Sequence, residues 1–286
     1  MKKTFAFFIF IFVFPLLAQN WEKSIDAGLN LALNNYSENW TGGEQGSIIW
    51  AFNLNGMAQK QLNPKMNSKT TLKLQFGQTH SQDEVTNHWG VPKKSTDLID
   101  LESVMRFTFG SFVDPFAAVH LESQFYDASV ADNKRLFNPM RFSESAGIAR
   151  VIMKKEKTEW TARLGWAFRQ FIDRDAISAP STDKKTITAN DGGVEFVSEM
   201  RAPIVKEKID YTGKLTVFNA IFYSKSDEAP NDYWKSPDIN FENIFNASIT
   251  KYLMVNLYIQ MLYDKEISLK GRHKETLGLG LTYKVY

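Results

Sequence analysis

Four histidines, His80, His88, His120 and His273, are the side chains of this sequence best suited to moving protons or ligating metals. His80, Asp83, Glu84 and His88 fall within one polar stretch at a spacing that can gather a metal ion, a composition that exposed loops also commonly show. No metal is assigned to them. His120 stands beside Glu122 and Ser123, the nearest local approach to the nucleophile, base and carboxylate of a hydrolase. In an extended segment Glu122 shares the face of His120, while Ser123 points the opposite way. A triad would need partners from other segments, and no catalytic residue is assigned. The absence of cysteine excludes a thiol nucleophile, thiolate metal sites, disulfides and a lipid-modified N-terminal cysteine. No phosphate loop, dinucleotide fingerprint, zinc-protease helix or calcium loop occurs, so no cofactor is expected. With 34 Lys+Arg against 32 Asp+Glu and a net charge of +2, nothing electrostatic points to nucleic acid.

The chemistry most evident in the sequence is a charged stripe. Arg106, His120, Glu122, Arg163, Arg169, Glu195, Glu199 and Arg201 each sit at every second position opposite a run of apolar residues. Asp26, Lys73, Glu102, Lys214 and Glu242 follow the same rule. Ile25, Ala27, Leu29, Leu31 and Leu33 oppose Asp26, Gly28 and Asn30, and Leu253, Val255, Leu257, Ile259 and Met261 oppose Asn256, Tyr258 and Gln260. A period of two is the mark of a half-buried strand. It predicts twelve strands at 24–36, 46–61, 68–80, 95–110, 113–127, 142–154, 157–171, 189–203, 206–223, 237–250, 252–264 and 273–286. The segments at 142–154, 206–223 and 237–250 alternate less cleanly, which leaves ten or fourteen strands open.

The joins alternate too. Long polar stretches at 37–45, 81–94, 128–141, 172–188, 224–236 and 265–272 separate short turns at 62–67, 111–112, 155–156, 204–205 and Lys251. Long and short joins in turn, with an even strand count, are the layout of an outer-membrane barrel with both termini in the periplasm. Twelve strands enclose a space too wide to fill with Leu and Phe alone, so the apolar faces are expected against lipid and the charged faces around a lumen. Trp50, Trp160, Phe168, Tyr211, Tyr263 and Tyr283 are candidates for interfacial aromatic girdles. The expected fold is all-β: a closed, antiparallel, up-and-down transmembrane barrel over residues 19–286.

Ahead of the barrel, Met1-Lys2-Lys3-Thr4, an apolar run from Phe5 to Leu17, and Leu16-Leu17-Ala18 read as a secretory signal peptide over residues 1–18. A mean hydropathy of −0.31 with 43% hydrophobic residues rules out a polytopic helical membrane protein. The last residues, Gly280-Leu281-Thr282-Tyr283-Lys284-Val285-Tyr286, resemble the terminal strand by which outer-membrane proteins are recognised for insertion. Val285 holds the place where that pattern has an aromatic residue, and Tyr286 follows it. The partners this implies are outer-membrane lipid and the barrel-assembly machinery.

Beyond these patterns, Trp21, Gly28, Asn30, Asn39-Trp40-Thr41-Gly42-Gly43-Glu44, Asn55-Gly56, Asp191-Gly192-Gly193-Val194-Glu195 and Tyr263-Asp264 give the chain a family likeness. It resembles an uncharacterised family, a domain of unknown function, of predicted outer-membrane barrels from Bacteroidota-type bacteria. The resemblance implies a Gram-negative outer membrane and brings no activity. Within it, Asn39, Trp40, Gly42, Gly43 and Glu44 form a first-loop motif that serves either as an external contact or as a structural turn fixing the first hairpin. The functional expectation is a narrow, porin-like channel for small polar solutes. Two alternatives stand beside it: a non-conducting scaffold whose long external loops bind a partner, and an embedded lipid hydrolase.

Overall fold

The computed structural model describes residues 21–35, 45–83, 86, 88–129, 134–177, 183–205, 208–250 and 253–285. The signal segment 1–18 and the loop motif from Asn39 to Glu44 lie outside these residues, as does Tyr286. Alternating apolar positions produce the strands β1 Glu22–Asn34, β2 Ser47–Asn63, β3 Met66–Ser81, β4 Lys93–Phe107 and β5 Asp114–Ser123. A small hairpin, β6 Tyr126–Asp127 and β7 Arg135–Leu136, precedes β8 Met140–Lys155, β9 Thr158–Ile177, β10 Lys184–Val205 and β11 Ile209–Tyr223. A short 3-10 turn at Tyr233–Lys235 leads to β12 Asp238–Ser248, β13 Leu253–Tyr263 and β14 Arg272–Val285. All but β6 and β7 join, each antiparallel to the next, into a closed barrel that β14 completes by pairing with β1.

The twelve expected strands therefore appear in order as a meander. Two expectations about their ends are corrected. The stretch 113–127 stops as a barrel strand at Ser123, because Tyr126–Asp127 folds back onto Arg135–Leu136. The stretch 172–188 is largely strand: β9 and β10 pair up to Ile177↔Lys184 and rise beyond the wall. Short joins gather at one end, where Glu156 takes φ 41° in the tight β8–β9 turn, as such turns require. The long joins gather at the other.

Register fixes the faces. Leu29↔Phe52, Phe52↔Phe76 and Leu74↔Ile99 carry one apolar face around the wall, and Asp26↔Asn55, Asn55↔Lys73 and Lys73↔Asp100 carry the polar one. Leu29, Leu31, Leu33, Leu101, Val119, Ile148, Leu164, Trp166 and Val194 stand exposed on the outside. The buried apolar side chains Phe116, Val197 and Phe218 lie inside the barrel.

Strands β8 and β9 approach very closely at Gly147↔Gly165, where a Cβ on Gly147 would stand 2.3 Å from Leu164 O and 2.4 Å from Gly165 Cα. Only backbone is available to yield there. Gly147→Val is expected to prevent barrel closure, seen as loss of the heat-modifiable gel shift of a folded barrel. Gly56→Ala, whose Cβ would meet nothing nearer than Leu72 Cβ at 3.9 Å, should keep that shift.

Candidate functional site: the barrel lumen

Because each strand sends alternate side chains inward, residues distant in sequence meet across the lumen. Lys73 on β3 reaches Glu242 on β12 at 2.8 Å, although β2, β1, β14 and β13 separate them along the wall. Lys69 reaches Glu199 on β10 at 2.6 Å, and Lys214 on β11 reaches Glu102 on β4 at 2.7 Å. Glu102 also accepts from Arg163 of β9 at 2.5 Å, so one carboxylate holds cations from two strands. Tyr258 donates to Glu242 at 2.8 Å, and His120 pairs with Asp100 of the neighbouring strand at 3.1 Å. These contacts form a septum of opposite charges across the half of the barrel nearest the short turns.

Packing completes the closure. Phe116 is only 4% exposed and packs with Ala118, Ala149 and Val104, while the Arg163 guanidinium lies 5.5 Å from its ring centre. Higher up, Ala167 is 0% exposed and Phe218 2%, and both pack with Ala220 against Trp234 of the β11–β12 loop. Arg169 lies 3.5 Å over the Phe218 ring and binds Asp191 at 2.6 and 2.8 Å and Asp238 at 2.8 Å. A water-filled pore leaves its inward side chains accessible. Here Phe116, Ala167 and Phe218 are sealed, while the ion-paired Lys69 and Glu199 that cross the lumen each keep 24% of their side-chain surface exposed.

The eight proposed lumen residues all fall on the inward face, but they do not act as one group. Arg163, Glu199 and His120 join the septum, and Arg169 anchors the upper cluster. Arg106 lies near the short-turn end, 3.9 Å from Asp114. Glu122, Glu195 and Arg201 occupy inward register positions opposite Asp100, Phe218 and Thr212. Sequence reasoning placed Tyr258 on the polar face but passed over Lys69, Asp100, Asp191 and Asp238 as lumen groups. Lys69 and Asp100 obey the same period as Lys73 and Glu102, so their facing was readable. Their partners were not, since Lys69 and Glu199 are 130 positions apart.

The hydrolase constellation does not assemble around Ser123. Its hydroxyl donates to Pro139 O at 3.0 Å on the outer face, away from His120. Ser143 stands opposite His120 in register, and no hydrogen bond joins them among the described residues. In the histidine-rich loop, His80 Nε2 contacts Gly90 O at 2.6 Å and its ring lies against Trp89 at 4.9 Å, while Asp83 accepts from Thr86. These contacts draw the two side chains to different neighbours; Glu84 is outside the described residues.

At the long-loop end the β6–β7 hairpin is stapled to the wall. Arg135 bonds Asp127 and, at 2.7 Å, Asp173 of the β9 extension, where Asn138 also binds at 2.7 Å. Beside it, Asp97 accepts the backbone N–H groups of Phe125 at 2.6 Å and Tyr126 at 3.1 Å, and Lys94 closes the group at 3.2 Å. Leu136 and Phe137, at the base of the hairpin, are left exposed.

Residues 31–128 match the model of a family described as "Protein of unknown function (DUF3078)". The resemblance read from the sequence is thus to an uncharacterised family of this kind, and the matched segment runs from within β1 past β6. No curated protein matches the sequence. Among solved structures, the translocator domain of the autotransporter NalP from Neisseria meningitidis is 11% identical, with 93% of this chain and 90% of that chain covered and a TM-score of 0.39. An outer membrane channel from Pseudomonas putida F1 is 15% identical over 94% of this chain and 96% of that chain, with a TM-score of 0.45. The beta domain of the Bordetella autotransporter BrkA is 8% identical over 94% and 100%, with a TM-score of 0.37.

Removing one partner of a buried ion pair leaves the other charge uncompensated, at a cost of about 3–5 kcal/mol. Glu102→Gln strands both Arg163 and Lys214, so it should lower the urea midpoint of the refolded barrel more than Glu122→Gln, which breaks no ion pair seen among the described residues. The hairpin staple should respond to acid. Burial raises the Asp127 carboxyl, but the Ser129 N–H and hydroxyl and the Arg135 guanidinium outweigh it and hold its pKa below the ordinary value. A depressed carboxylate stabilises the fold above the unfolded pKa of about 3.9 and loses that contribution as pH falls through the folded value. Proteolysis within 124–139 should therefore stay constant from pH 7 to about 5 and rise only below about pH 4.

Proposed function

We propose that this protein is an outer-membrane barrel with a shut lumen, working as a scaffold through the structures at its long-loop end. The reading of location is carried by the wall itself. It is a closed sheet whose exposed outer residues are mainly apolar, Glu144 and Glu275 being exceptions, and most of whose charges turn inward, an arrangement suited to hydrocarbon. Trp160, bonded to Ser198 at 3.0 Å, and Tyr211, bonded to Asn243 at 2.8 Å, are outer-face residues fit for an interfacial belt. The short turns and both termini are assigned to the periplasm, with the signal segment directing export and the assembly machinery and outer-membrane lipid as partners.

The single observation that carries the scaffold reading over the channel is the inaccessibility of Ala167 and Phe218, backed by ion pairs that span the lumen. A standing pore for polar solutes needs a continuous wet path, and three ion pairs cross this lumen from wall to wall. The stapled hairpin and the tall β9–β10 extension give the long-loop end a fixed shape, which suits recognition of a partner or envelope component.

Planar-bilayer recording tests the closure. The wild-type barrel should insert without steady conductance. Lys69→Ala combined with Lys73→Ala removes two of the crossing pairs but leaves the Phe116 and Phe218 packing and the Glu102 pairs in place, so it too should insert without steady conductance. Steady ohmic current through the wild-type barrel would return the channel to first place.

A further inference from the structure

The barrel closes between its first and last strands over only part of their length. β1 and β14 pair from Ile25↔Val285 to Asn30↔Gly280. Above that rung, among the described residues, Leu31, Ala32, Leu33 and Asn34 pair only with β2, and Arg272 to Leu279 pair only with β13. Asn30 marks the division. Its side-chain amide occupies the space beside two glycines, so that a Cβ on Gly278 would stand 2.7 Å from Asn30 Nδ2 and one on Gly280 2.3 Å from Asn30 Oδ1.

Beside the gap the inward residues Ala32, Lys274 and Thr276 are exposed along with their outward neighbours, while Gly278 stays buried. Leu277 is 73% exposed, Leu31 65%, and Leu33 and Leu279 flank the same gap. Two strand edges thus face each other without bonding, in a wall whose unpaired backbone groups cost several kcal/mol each in hydrocarbon.

We propose that this split seam is a lateral binding site for an anionic amphiphile of the surrounding leaflet. Its acyl chain lies outward between Leu31 and Leu33 on one edge and Leu277 and Leu279 on the other. Its headgroup enters between the edges and meets Lys274. That ammonium points inward just above the facing edges, 3.5 Å from the Thr96 hydroxyl and 5.8 Å from the centre of the Tyr258 ring; it forms no ion pair among the described residues. A headgroup oxygen would supply the missing charge, and further oxygens would accept from the open backbone N–H groups. The septum below blocks passage down the lumen, so the site is reached from the side. The inference rests on the membrane setting and the shut lumen of the previous section, and amphiphile binding and conductance are measured separately.

The test is equilibrium binding of palmitate to the full barrel in zwitterionic phosphatidylcholine nanodiscs. Wild type should bind saturably with one palmitate per barrel. Hexadecanol, which has the chain without the charge, and inorganic phosphate, which has charge without the chain, should both fail to compete. Lys274→Gln should weaken palmitate by about tenfold or more, and Lys274→Arg should retain it, since each charge-assisted bond lost carries about that factor. Leu33→Gln with Leu277→Gln should weaken binding while leaving Lys274 intact. Each variant is checked for the gel shift of the folded barrel. Absence of saturable binding, equal affinity in Lys274→Gln, or competition by phosphate alone would overturn the proposal. So would a dimer of the barrel joined seam to seam, which would identify a second copy as the occupant.

Discussion

A backbone amide facing hydrocarbon has no water to bond, and this constraint shapes the whole molecule. It forces the strands into register with one another, and it forces the sheet to close. Closure then creates an interior that apolar side chains cannot fill at this strand number. The chain fills it with charge. Long cations and carboxylates from opposite walls meet in the middle, where each compensates the other. Phe116 and Phe218 lie under guanidinium groups, and Phe218 also packs against Trp234. The inside resembles a folded core built from ion pairs.

Such an interior alters what the barrel can do. Charged rings along a wide path select ions; charges bonded across the path obstruct it. The same residue types serve both ends, so the stripe of Arg, Lys, Glu and Asp did not distinguish them. Distances across the lumen did. On the proposed reading, function falls to the surfaces that remain, namely the long-loop end with its stapled hairpin and the seam where the first and last strands part.

Much of the fold was legible because the period of two is a local property. Asp26, Lys73 and Glu242 declared their facing through their immediate neighbours, and the alternation of long and short joins declared the topology. The β6–β7 hairpin was not legible, since Tyr126 and Asp127 continue the rhythm of β5 and leave it only because Asp97, on the adjoining strand, captures the Phe125 and Tyr126 amides. The projection of β9 and β10 was hidden for the converse reason: Thr, Lys and Asp there are polar on both faces once the strands clear the apolar belt. The septum's pairings and the parting of β1 from β14 belong to closure itself, which no window of sequence contains.

The sealed interior is tested most directly by thiol labelling, for which the native absence of cysteine provides a clean background. Ala167→Cys places a small thiol where the wall is 0% exposed. In the folded barrel in lipid it should resist a charged, membrane-impermeant maleimide and react fully once urea unfolds the chain. Rapid labelling of the folded protein would show water running through the lumen and would contradict the account.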